Sequence, residues 1–139
     1  LLVPILTRTL TDTTGVQHKW KYDTTQAANE TVVTDPAGND TVYTFAQAGG
    51  VKSYYESQRQ IYQGTHTSGT LLKTVLTCYN TNTTNCAAAT VSGQVTQKSV
   101  YTTFPGMAQS SLSNMTYDIY QAAEKGMMRL RFSPGSTIM

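Results

Sequence analysis

The sequence predicts an all-β protein built as an antiparallel meander. Three observations carry that expectation. Clusters of turn-forming residues recur about every ten residues, the spacing of short strands joined by tight turns. The segments between them are rich in tyrosine, valine and threonine, which suit a pleated surface. The long crossovers that parallel pairing needs are missing between them, so neighbours in sequence are expected to pair antiparallel.

Taken in order, Ile5 to Leu10 reads as a strand, stopped by Thr11-Asp12-Thr13-Thr14-Gly15. Val16, His18, Trp20 and Tyr22 then alternate with Gln17, Lys19 and Lys21, a strict period of two with bulky residues on one face. After a soft turn near Asn29, Glu30 to Thr34 runs into Asp35-Pro36-Ala37-Gly38, and Thr41 to Phe45 runs out of it. Proline presets φ at the second turn position, aspartate at the first bonds forward to the backbone, and Gly38 takes a left-handed conformation at little cost. Val51 to Gln63 is read as a strand from its tyrosines and flanking glycines, with helix the alternative over Ser53 to Gln60. Leu71 to Tyr79, Gln94 to Phe104 and Leu112 to Tyr120 complete the strands, and Ala87 to Val91 fits either of two assignments. Residues 121–126 favour a short helix, and the stretch 121–139 departs from the pattern of 1–120.

Composition narrows the function. Charged residues are 13% of the chain, about half the ~25% of an ordinary soluble protein. Twenty-five threonines fill much of the gap, which suits exposed β surface. The net charge of +2 is scattered, without the clustered basic stripe of a nucleic-acid binder. No apolar run approaches the length of a membrane-spanning helix. The chain opens on leucine and is read as a segment of a longer protein.

Tyr22-Asp23, then Asp35-Pro36-Ala37-Gly38-Asn39 running into Tyr43 and Phe45, and a second Tyr117-Asp118, together resemble units of the YD-repeat (RHS) family. The usual Gly-Arg after Tyr-Asp is replaced by Thr24-Thr25 and by Ile119-Tyr120, so these repeats are divergent. The resemblance implies an open sheet that forms part of a larger β-shell. It implies a large bacterial protein, secreted or at the cell surface, whose repeats enclose a C-terminal toxin or effector. The partners it implies are neighbouring repeats of the same polypeptide and that enclosed domain. The family's aspartyl-protease core motif has no match here, so no catalytic residue carries over.

Residue by residue, the chemistry is sparse. His18 sits in register with Val16 and Trp20, which favours packing over a role as a base. His66 lies in a Gly/Ser/Thr loop and is read as solvated. Asp35, Asn39 and Asp40 lack the ligand spacing of a calcium loop, and turn chemistry accounts for them. Glu30 and Glu56 are isolated acids, and no nucleophile elbow is present. Neither a metal nor a cofactor is expected, and the chain is read as non-catalytic. Cys78 and Cys86 bracket a polar, turn-forming run and admit two readings, a pair of reduced thiols or a disulfide closing a loop. Trp20, Tyr54, Tyr55 and Tyr62 are the candidates for stacking on cell-surface glycans, against the plainer reading of ordinary sheet packing.

Overall fold

The computed structural model describes residues 5–47, 54–108, 110–119 and 130–135. They form one open sheet of nine antiparallel strands whose spatial order is the order of the chain. The strands are β1 Ile5–Thr11, β2 Gln17–Asp23, β3 Glu30–Thr34, β4 Asp40–Gln47, β5 Tyr54–Gln63, β6 Thr70–Tyr79, β7 Gln97–Thr103, β8 Ser111–Ile119 and β9 Leu130–Gly135. Tight turns such as those at Asp12 and Asp35 return the chain beside the strand it has just left, which favours a meander.

Each expected strand has its counterpart among the described residues, and β5 takes the place of the helical alternative from Tyr54 to Gln60, Ser53 lying outside the described residues. Ala87 to Val91 is a turn that ends in a single bridge at Val91. One element differs from expectation: β9 follows β8 and pairs with it, Thr116 opposite Ser133 and Asn114 opposite Gly135. The sequence reading placed no strand there. Leu130-Arg131-Phe132 is short and runs into Ser133-Pro134-Gly135, whose proline and glycine argue against a strand. Among the described strands β9 is the last of the order, and proline is tolerated at an edge. The helix expected near 121–126 falls outside the described residues.

Strand alternation sorts the side chains into two faces. On one, Asp23, Val32, Val42 and Gln60 form a cross-strand row. On the other, Tyr22, Val33, Thr41 and Ile61 form the adjacent row. Val32 and Val42 are buried, whereas Tyr22, Val33, Thr41 and Ile61 are half-buried. A single layer cannot enclose both faces. The buried apolar residues among those described are accordingly few and mostly small: Val32, Val42, Ala46, Cys78, Cys86 and Val91. Leu6, at 62% exposed, and Leu10 stand in the open on β1.

Two bulges shape the middle of the sheet. Ser57 is the extra residue of β5 where Thr44 faces Gln58 and Phe45 faces Glu56. Leu72 is the extra residue of β6 where Ile61 faces Lys73 and Tyr62 faces Leu71. A bulge bends its strand and raises the local twist. Ser57 is 0% exposed, and its Oγ donates toward Thr44 O at 3.1 Å and Ala87 O at 2.8 Å. One hydroxyl proton is shared between two buried carbonyls, so its loss leaves both undersupplied. Ser57→Ala is expected to lower the unfolding free energy of the full chain by about 1–2 kcal/mol. Urea unfolding monitored by circular dichroism measures this, with unchanged stability as the contrary result.

Candidate functional site

Aspartates at the strand ends accept several hydrogen bonds each. Thr11-Asp12-Thr13-Thr14-Gly15 and Thr34-Asp35-Pro36-Ala37-Gly38 share the pattern Thr-Asp-x-x-Gly, and they fold into the same turn. In each, the aspartate amide donates to the carbonyl four residues on, and the glycine amide donates back to the aspartate carbonyl. In each, one carboxylate oxygen accepts the amides two and four residues on: Thr14 and Val16 for Asp12, Ala37 and Asn39 for Asp35. Gly38 has a φ of +83°, the left-handed conformation that the sequence demands of it. Asn39 Nδ2 adds a bond to the second oxygen of Asp35 at 3.1 Å.

Asp23 caps the next turn, accepting from the Thr25 amide at 3.0 Å and the Thr25 hydroxyl at 2.6 Å. These bonds favour the ionised carboxylate. Asp12 is lowered to about 2, first by the Thr14 hydroxyl and then by His18. Asp23 is also lowered to about 2, first by the Thr25 hydroxyl. For Asp35, burial pushes upward, but the Asn39 amide and side chain and the amides of Ala37 and Gly38 more than offset it. The Tyr-Asp pair thus acts through its aspartate, with Tyr22 in the half-buried row. Tyr117 lies in β8, and the Asp118 side chain is outside the described residues.

Asp40 links two turns. It is 4% exposed; its Oδ1 accepts from the Thr34 hydroxyl at 2.7 Å. Its Oδ2 accepts from the His66 amide at 2.9 Å and from His66 Nδ1 at 2.7 Å. An ionised carboxylate only accepts, so Nδ1 carries the proton. Burial pushes the Asp40 pKa upward, yet the His66 and Thr34 bonds hold it below the ordinary value. Beside it, Asn39 Oδ1 accepts from the Gly64 amide and the Asp40 amide donates to Gly64 O. A Cβ on Gly69 would run into the carbonyls of Gln63 and Thr65, so only glycine closes this loop. His66 is therefore not a solvated loop residue: it is the tie between the β3–β4 turn and the β5–β6 loop. His18 is also paired, its Nε2 lying 3.2 Å from Asp12 Oδ2. The Asp40–His66 pair is hidden in the sequence because its residues are 26 apart and meet only through strand pairing, whereas His18 and Asp12 are six apart and meet across one hairpin turn.

The aromatic candidates part company. Trp20 lines an open groove with Tyr22, Val33, Tyr43 and Phe45, and Tyr54 lines a neighbouring one with Ala27, Ala28 and Phe45. Tyr55 packs on Tyr79, ring centroids 5.2 Å apart. The Tyr79 hydroxyl donates to Glu56 O, and burial, with lesser help from Glu56, pushes its pKa up to about 12. Tyr62 is paired in β5 opposite Leu71 and lines neither groove. Directly opposed cross-strand partners cover two rings of the first groove: the Arg8 guanidinium lies 5.9 Å from the Trp20 ring centre and that of Arg59 lies 4.9 Å from the Tyr43 ring centre. Glu56 holds Arg59 in place through two bonds, at 3.0 and 2.7 Å. Cys78 and Cys86 are joined as a disulfide.

No known protein family, curated protein or solved structure matches this chain.

Among the described residues, the aspartates at the strand ends are held by amides and hydroxyls of their own turns, and Asp40 also by His66. Asp40 and His66 are expected to be coupled by about 1–3 kcal/mol. A double-mutant cycle of Asp40→Asn and His66→Ala, read by urea unfolding, measures this. Additive effects of the two substitutions would show that the tie carries no energy.

Proposed function

We propose that this chain is a non-catalytic wall segment of a larger secreted or cell-surface protein of the YD-repeat kind, part of a β-shell around another domain. The observation that carries the reading is the nine-stranded meander, a single sheet whose outer strands β1 and β9 each have one neighbour among the described strands, with the Thr-Asp-x-x-Gly turn built twice. Such a layer buries little by itself, and neighbouring units complete what it leaves open. An open edge also presents unpaired backbone groups that another strand of the same polypeptide satisfies. The disulfide fits an oxidising, exported environment.

The rival reading is a surface module that adheres to glycans. The neighbouring aromatic grooves favour it, since Phe45 lines both. Against it, Arg8 and Arg59 occupy ring faces on which a sugar would stack. The Asp35 and Glu56 carboxylates beside the first groove are also already engaged by Asn39 and Arg59. The wall reading is therefore the better supported.

The two readings part in one comparison: the chain alone, and the chain extended by its native flanking sequence. A wall segment aggregates or melts at low temperature alone and gains stability as flanks are added, and it binds no glycan. A monomer that melts cooperatively at high temperature without flanks contradicts it. So does sugar binding that is lost in Trp20→Ala.

A further inference from the structure

We propose that the β6–β7 connection, residues 80–96, is a redox-released clasp. The Cys78–Cys86 disulfide holds it against the ends of β4 and β5, and a dithiol reductant frees it while the rest of the sheet stays paired. This inference stands whether or not the chain belongs to a shell.

The connection is the longest between described strands, and it folds back over three of them. Cys86 is bonded to Cys78 of β6, Ala87 O accepts from the Ser57 hydroxyl of β5, and the Val91 amide donates to Gln47 O of β4. Asn80 opens the loop in a left-handed conformation, φ 58°. Its side chain then spans the loop, donating to Ser92 O and accepting from the Thr96 amide.

The apolar content that fixes this segment is small. Cys86 and Val91 are its buried residues; the rest is threonine, asparagine, alanine, serine, glycine, exposed Gln94 and partly exposed Val95. A cavity of about 110 Å³ remains between the loop and the end of β6, lined by Tyr79, Asn82, Cys86 and Val91 among others. One buried valine and a few hydrogen bonds do not offset the conformational entropy of ordering so long a polar segment. The covalent link closes that gap by restricting the loop before it docks. Among the described residues, the loop's hydrogen bond to β4 is at Gln47, the end of that strand far from the Asp35 turn, so its release is a local opening.

The chemistry is thiol–disulfide exchange. The reductant's thiolate attacks one sulfur, the Cys78–Cys86 bond breaks through a mixed disulfide, and the reductant's second thiol completes the exchange. Two electrons and two protons pass to the cysteines, giving two thiols, and the dithiol is left as its own disulfide. Cys78 is 1% exposed and Cys86 is buried, so attack follows a transient opening of the loop.

Hydrogen exchange of the full chain, oxidised and after treatment with dithiothreitol, tests the proposal. Alkylation at both Cys78 and Cys86 verifies the reduction. Peptides covering residues 87–96 are expected to exchange at least about tenfold faster after reduction, while β3 and β4 keep their protection. A Cys78→Ser, Cys86→Ser double variant reproduces the released state without reductant. Retained protection at Val91 with both cysteines alkylated overturns the proposal. So does parallel loss of protection in β3 and β4, or a double variant that does not fold, since either makes the bond a staple of the whole sheet.

Discussion

A carboxylate that accepts two backbone amides at the start of a turn fixes where one strand ends and the next begins, and this sheet depends on that constraint. A single layer has no opposing layer whose side chains would reject a slipped register. Register must then be written into the connections. Asp12 and Asp35 do this by bonding the amides two and four residues on, which leaves each turn one length and one shape. Asp23, at the opposite end of β2, accepts instead from the amide and the hydroxyl of Thr25. Asp40 extends the constraint from one turn to the next by holding His66.

Once the turns are fixed, cross-strand pairs complete the surface. Arg8 over Trp20 and Arg59 over Tyr43 arise because the register sets these residues directly opposite one another. In each pair a guanidinium lies over an aromatic face, a contact that suits large rings standing on an open sheet. The second layer is local, where the disulfide-closed loop covers Ser57 and Cys78. This division explains why burial is concentrated in small residues such as Val42, Ala46 and Ser57, while Leu6 and Leu10 stand exposed.

Much of this architecture was legible in the sequence. The period of two from His18 to Tyr22 and the Asp35-Pro36-Ala37-Gly38 turn identify β2, β3 and β4 because both are local signals. Harder to read was anything that depends on pairing between distant strands. His66 looks like an ordinary loop histidine until the β4–β5–β6 register brings it to Asp40. Ser57 looks like any strand serine until a bulge and a returning loop enclose it. The likeness between the turns at Asp12 and Asp35 was present in the residues, but proline at 36 against threonine at 13 obscured it; the shared hydrogen bonds reveal it. β9 was missed because Pro134 and Gly135 oppose strand formation wherever the strand is not at an edge.

The carboxylates themselves offer the most direct test. A carboxyl-detected magnetic resonance titration of the full chain from neutral pH to about pH 2, read beside the strand amides, follows each aspartate separately. All four turn aspartates have folded values depressed from 3.8, to about 2 for Asp12 and Asp23. Their contribution to stability is therefore complete above the unfolded value and is lost as pH falls through the folded one. The account predicts that Asp12 and Asp23 titrate near 2 and that Asp35 and Asp40 titrate below 3.8, with strand amide signals lost over the same range. Ordinary titration near 3.8 with the strands intact throughout would contradict it.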